Sequence, residues 1–225
     1  MKLISIFFLF LLLTSLTQAQ DWANLNRFKD ENSKLGLPAA DENRIVFMGN
    51  SITEGWSKFD SSFFANKPYV NRGISGQTTP QMLLRFRQDV INLNPKLVVI
   101  LAGTNDIAGN SGPMTLEMIM ENIVSMTELA LANNINVVLS SVLPAYDYPW
   151  KRGLNPAEKI DSLNAMIKNY ADESEIGYLD YYSAMVDERK GLKSEFTYDG
   201  VHPNETGYKI MGPLADEAIQ KALAK

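Results

Sequence analysis

From residue 40 onward, short apolar runs alternate with longer segments in which apolar positions recur every three or four residues. The runs are 45–48 (IVFM), 69–74 (YVNRGI), 97–102 (LVVILA), 137–143 (VVLSSVL) and 178–182 (YLDYY). LVVILA and VVLSSVL are almost continuous stretches of β-branched and aliphatic residues, as expected of strands buried on both faces in a parallel sheet. Between the runs, 79–93, 115–133, 156–172 and 204–224 read as helices, the first opening on Thr-Pro, a favourable helix start. Residues 21–42 form a polar lead-in, irregular or helical. Alternating strands and helices with short connections predict an α/β chain, a parallel sheet between two helical layers in a three-layer α/β/α sandwich. No repeat, linker or low-complexity segment interrupts the series.

A different pattern stands ahead of the lead-in. Lys2 precedes an apolar run over 3–13, then polar and small residues, and Thr17-Gln18-Ala19 fits a small-x-small cleavage site. This is the layout of a secretory signal peptide. The run falls well short of the ~20 residues that span a bilayer, and no cysteine is available for lipidation. The expectation is a signal peptide over 1–19, cleaved after Ala19 or Gln20. A single domain over 20–225 would then be exported to the periplasm or the outside, with no stable membrane insertion.

Charge and composition narrow the function. The chain carries 21 basic and 26 acidic residues, net −5; without Lys2 the balance is 20 against 26, or −6. An acidic chain with no basic run argues against a nucleic-acid partner. Cysteine is absent, which excludes thiol chemistry and leaves stability to the core rather than to disulfides. With one histidine and no cysteine, a zinc site is not expected, and nothing suggests another cofactor.

In a parallel sheet of this kind, ligands bind beyond the carboxyl ends of the strands, so the residues following each strand are the place to look for chemistry. After IVFM comes Gly49-Asn50-Ser51-Ile52-Thr53. Ser51 can serve as a nucleophile whose backbone N–H lies at a helix N-terminus, or simply cap that helix. After the second run comes Asn71-Arg72-Gly73-Ile74-Ser75-Gly76-Gln77-Thr78-Thr79. Gly73 there either lets the backbone approach a ligand or makes an ordinary turn; Ser75 is a second hydroxyl with no supporting feature. After LVVILA comes Gly103-Thr104-Asn105-Asp106, where the Asn105 amide can donate to an oxyanion, though taken alone Asn105 and Asp106 are more often turn formers or helix caps. Before the last helix comes Asp199-Gly200-Val201-His202-Pro203. The carboxylate three residues before the ring can hold one nitrogen while the other takes a proton.

Ser51, the glycine block, Asn105 and Asp199-x-x-His202, in this order over residues 45–213, resemble the SGNH family of esterases, also called GDSL-type lipases, with GNSIT standing where GDSL-like sequences stand. Ile74-Ser75-Gly76-Gln77-Thr78-Thr79 and Leu143-Pro144 further resemble its platelet-activating-factor acetylhydrolase-like branch. The departure is Asn50 in place of aspartate, beside the nucleophile and outside the triad. The resemblance implies a flavodoxin-like, five-stranded sheet of order 2-1-3-4-5, with Ser51 as nucleophile, His202 as base and Asp199 orienting it. It also implies an oxyanion hole built from the Ser51 and Gly73 N–H groups and the Asn105 amide, with no metal or organic cofactor. The Gly-x-Ser-x-Gly elbow of α/β-hydrolases is absent around Ser51.

The substrate is less legible. Tyr146, Tyr148 and Trp150 follow the fourth strand and can form a platform for a sugar ring, a wall for an acyl chain, or plain loop packing. Export, together with the resemblance to a family many of whose members act on decorated glycans, favours a small-molecule or oligosaccharide ester, above all deacetylation of a carbohydrate. A lysophospholipase or short-chain lipid esterase is the alternative, and a noncatalytic binding module a remote one.

Overall fold

The computed structural model describes residues 21–224; the expected signal peptide lies outside the described residues. Five strands, β1 (Ile45–Gly49), β2 (Tyr69–Gly73), β3 (Leu97–Leu101), β4 (Asn136–Ser140) and β5 (Gly177–Leu179), form an all-parallel sheet of order β2-β1-β3-β4-β5. This is the expected 2-1-3-4-5 order.

The period-2 alternation of side chains along the strands divides the core in two. Val46, Met48, Val98, Ile100, Val137 and Leu139 face one side, where they meet α3 (Thr79–Asp89), α5 (Leu116–Leu131) and α6 (Ala157–Glu173) through Met82, Phe86, Ile123, Leu163 and Ile167. Ile45, Phe47, Leu97, Val99 and Val138 face the other, against α2 (Ser51–Phe59), α7 (Tyr181–Met185) and α8 (Glu205–Leu223) through Trp56, Tyr181, Met211, Ala215 and Ile219. Both faces are covered, which is why β1 and β3 read as unbroken apolar runs rather than alternating ones. Each buried Val, Leu, Ile, Phe or Met among them stabilises the fold by about 1.5–3 kcal/mol.

Local chemistry sets the boundaries. Helix α3 begins with a capping box between Thr78 and Gln81, with Pro80 in its first turn. Asn204 caps α8 by accepting from the Gly207 N–H. The fourth strand stops at Ser140 rather than Leu143, because Asn164 of α6 takes over both the N–H and the carbonyl of Val142, at 2.7 and 3.0 Å. The fifth run stops at Leu179 because Asp180 accepts from the Ser183 N–H and starts α7. Within the lead-in, α1 (Lys29–Leu35) forms. The preceding residues are strapped to α3 by Gln77, Gln81 and Gln88, whose amides donate to the carbonyls of Ala23, Trp22 and Leu25 at 2.8, 2.6 and 2.5 Å.

The register levels the strand ends: Gly49 lies opposite both Gly73 and Leu101. The three segments that follow β1, β2 and β3 therefore leave the sheet side by side.

Candidate active site

Ser51 is the first residue of α2, and Asn50 caps the helix by accepting from the Ile52 N–H at 3.0 Å. The asparagine that departs from the family pattern thus performs a cap that aspartate would perform equally well. Ser51 Oγ lies 2.9 Å from His202 Nε2, and His202 Nδ1 lies 2.7 Å from Asp199 Oδ2. The acceptor-only carboxylate requires Nδ1 to carry the proton, which leaves Nε2 free to accept from the serine hydroxyl.

The turn that presents the imidazole is tightly made. Asp199 Oδ1 accepts from the N–H groups of His202 and Val201 at 2.8 and 2.9 Å, and Thr197 Oγ donates to the His202 carbonyl at 2.7 Å. Gly200 supplies the positive φ of 89° that the turn requires. Burial pushes the Asp199 carboxyl up, but the His202 and Val201 N–H groups and the His202 ring outweigh it. They hold it below the ordinary carboxylate range.

Two predicted residues are corrected. The Gly73 N–H is committed to Asn71 Oδ1 at 2.9 Å. A Cβ at Gly73 would lie 2.1 Å from the Glu54 nitrogen, so its glycine serves the close packing of α2 on β2 and offers no donor to an oxyanion. Gly76, three residues on, has φ of 77°, open space where a Cβ would stand, and an N–H with no hydrogen-bond partner among the described residues. Asn105 lies close by, its Nδ2 donating to the Gln77 carbonyl at 2.9 Å and its Oδ1 accepting from Asn110 at 3.1 Å. Tyr148 is fully buried, its hydroxyl 3.1 Å from Thr104 Oγ, so it presents no platform and instead backs Trp150 in a stack at 5.1 Å. The alternating pattern of the loop gave no sign of which ring turns inward.

Trp150, 43% exposed, sits 5.8 Å from the His202 ring, and Tyr146, 56% exposed, lies beneath Arg189. Ser75 is brought to the Glu54 carboxylate, which accepts from both its N–H and its hydroxyl, and not to the imidazole. A cavity of about 300 Å³, lined by Tyr146, Asp147, Arg152, Arg189 and Leu192, reaches Asp199 and Gly200. A larger one, about 660 Å³, lies between α1, α2 and the edge strand β2 and is lined by neither Ser51 nor His202. Among the described residues no cluster of His, Asp and Glu is arranged to hold a metal ion, and no helix is long and apolar enough to cross a membrane.

A model of GDSL-like lipases and acylhydrolases matches residues 47–210, nearly all of the region that builds this site. The chain belongs to that family. A GDSL-like lipase from Bacteroides thetaiotaomicron is 52% identical, with a TM-score of 0.87 over 89% of this chain and 98% of its own. A platelet-activating factor acetylhydrolase IB subunit beta homolog of Drosophila melanogaster is 27% identical over 76% of each chain. An acetylxylan esterase of Geobacillus stearothermophilus is 27% identical over 63% of this chain and 67% of its own.

Two residues of this acylhydrolase's site escaped the sequence reading. Tyr198 lies parallel to the His202 ring and offset from it, with centroids 5.7 Å apart, and nothing in a loop without periodicity marks it. Arg85 is fully buried beneath the site, on the face of α3 that also carries Met82, Phe86 and Asp89. Its spacing from those apolar residues was a usable signal, because a charge on a buried stripe must be paired.

Proposed function

We propose that this chain is a serine esterase that removes short acyl groups, acetyl above all, from carbohydrates. The observation that carries the reading is the hydrogen-bond chain from Ser51 Oγ through His202 to Asp199, at 2.9 and 2.7 Å, at the strand ends of an acylhydrolase fold.

In this mechanism Ser51 Oγ attacks the ester carbonyl while His202 Nε2 takes its proton. The developing oxyanion is met by the N–H groups of Ser51 and Gly76 and by the Asn105 amide, each contributing about 10²–10³ in rate. The bond to the alcohol oxygen then breaks, and that oxygen takes the proton from His202, leaving an acyl-Ser51. Water attacks the acyl carbon, gives a proton to His202, and the acid departs as Ser51 recovers its hydrogen. Asp199, held ionised, keeps the ring in the productive tautomer and offsets the charge that His202 gains.

The carbohydrate reading draws on the surroundings of the triad. Trp150 and Tyr198 stand exposed beside the imidazole. The adjoining cavity carries Arg152, Arg189 and Asp147, groups suited to hydroxyls rather than to a long alkyl chain. Two relatives are named for acetyl groups. Export, inferred from residues 1–20, would bring such an enzyme to extracellular glycans. Hydrolysis should be compared among acetylated oligosaccharides, p-nitrophenyl esters of rising chain length and lysophospholipids. The reading expects the highest kcat/KM on acetylated sugars and a steep fall beyond short acyl chains; a preference for lysophospholipids contradicts it.

A further inference from the structure

Aromatic rings stack without a break from the imidazole of His202 into the core beneath the nucleophile's helix. Tyr198 lies against His202 with centroids 5.7 Å apart and planes 10° from parallel. Phe59 stacks on Tyr198 at 5.5 Å and 27°, and Tyr208 on Phe59 at 6.0 Å and 20°. Trp56 follows on Tyr208 at 5.4 Å and 28°, and Phe63 on Trp56 at 4.4 Å and 16°.

The column joins the parts of the site that must meet. Trp56 and Phe59 belong to α2, the helix that begins with Ser51, whereas Tyr198 belongs to the turn that carries Asp199 and His202. Tyr208, from α8, also donates its hydroxyl to the carbonyl of Ile52, next to Ser51, at 2.8 Å. Burial accounts for Trp56 and Tyr208, which are core residues. It does not account for Tyr198, which is 58% exposed yet lies parallel to the imidazole. The Asp199 hydrogen bond fixes His202 at Nδ1 but leaves the ring able to tilt about that contact. Tyr198 and Trp150, the latter at 5.8 Å and 41°, are the two rings that neighbour the imidazole among the described residues, and they limit that tilt. Offset-parallel stacking of this kind is attractive beyond its burial.

We propose that Tyr198 and Phe59 are positioning residues, which set the His202 turn against α2 and thereby hold Nε2 at hydrogen-bond distance from Ser51 Oγ. The proposal rests on the esterase reading for its kinetic consequence, though not for the column itself. Misplacement of a proton acceptor by about 1 Å can cost 10²-fold in rate; partial loosening should cost about tenfold.

His202 is the sole histidine of the chain, so its imidazole gives a single set of ring signals in NMR. The test compares Tyr198→Leu, Phe59→Leu and Tyr198→Phe in the full mature chain, using ring relaxation and the kinetics of p-nitrophenyl acetate. Both leucine variants should show a more mobile imidazole and a kcat lowered about tenfold, with KM within about twofold of wild type. Tyr198→Phe should restore the rigid ring and most of kcat, since it keeps the stack and removes only the hydroxyl. An imidazole as rigid in both leucine variants as in wild type, or a loss confined to KM, overturns the proposal. Should wild type hydrolyse no ester, the esterase reading fails, and the relaxation measurement still decides the column.

Discussion

Arg85 Nη2 donates to the carbonyl of Gly49 at 3.0 Å, so the end of β1, two residues before Ser51, is held by a buried guanidinium. The same nitrogen donates to the Arg72 carbonyl near the end of β2 at 2.8 Å, and Nε donates to Gln77 Oε1 at 2.5 Å. Gln77 in turn offers its backbone carbonyl to the Asn105 amide. One side chain thus braces the segments that carry Ser51, Gly76 and Asn105. Burial lowers Arg85 to about 10, against the pull of Asp89 at 3.1 Å.

Replacing Arg85 by methionine leaves two strand-end carbonyls short of a donor and Asp89 with Asn32 Nδ2 as its remaining side-chain partner. Arg85→Met should lose about 3–5 kcal/mol in urea unfolding, the usual cost of orphaning a buried charge. Arg85→Met with Asp89→Leu should recover part of it. A single variant within about 1 kcal/mol of wild type would mean that the guanidinium braces nothing.

Gly73 and Gly76 should separate by stability. At Gly73 a methyl group meets backbone 2.1 Å away, whereas at Gly76 it meets open space and suffers only a positive φ of 77°. Gly73→Ala should therefore destabilise the fold severely, and Gly76→Ala by about 1–2 kcal/mol at most, as read by urea unfolding. A benign Gly73→Ala would undo the packing role assigned to that residue.

Asn105→Ala should lower kcat by about 10²-fold or more. It also removes the bond to the Gln77 carbonyl, worth about 1 kcal/mol, so a modest fall in Tm is expected alongside. Loss of stability with kcat intact would show Asn105 to be a turn residue alone.

Two carboxylates should tune stability in opposite directions with pH. Asp106 accepts from the Thr79 N–H and hydroxyl through Oδ1, while its buried Oδ2 has no partner. Burial outweighs those bonds and raises its pKa above the ordinary 3.8. Its contribution is therefore complete below that value and lost as pH rises through the folded one. Asp199 has a lowered pKa, so its contribution is present above 3.8 and lost as pH falls through the folded value. The Tm of Asp106→Asn relative to wild type should rise as pH climbs above about 4, and that of Asp199→Asn should rise as the solution is acidified below about pH 4. Parallel slopes for the two variants would contradict the assigned shifts.

The sheet was legible because burial on both faces writes an unbroken apolar run, as in 97–101, and because β1 to β4 each begin within a residue of the expected position. The ends were less so: Asn164 and Asp180 cut strands short by side-chain bonds that no hydropathy pattern records. The sequence pointed to the Ser51, Asn105 and Asp199-x-x-His202 segments because each follows a strand or precedes a helix, and the structure joins Ser51, His202 and Asp199 in one hydrogen-bonded chain. The preference for Gly76 over Gly73 rests on the Gly73 N–H being bonded already to Asn71, a contact beyond the reach of spacing. Tyr148 and Tyr198 were misjudged or missed for one reason: in an irregular loop nothing but packing decides which ring faces the site.

The most direct test of the account is labelling with a fluorophosphonate, which reacts only with an activated serine, followed by peptide mapping. Wild type should be modified at Ser51 and lose its esterase activity in step. Ser51→Ala should be neither labelled nor active, and His202→Gln should label far more slowly, both with the wild-type circular dichroism spectrum. Modification at Ser75, or turnover persisting in folded Ser51→Ala, would contradict the assignment of the nucleophile and with it the mechanism.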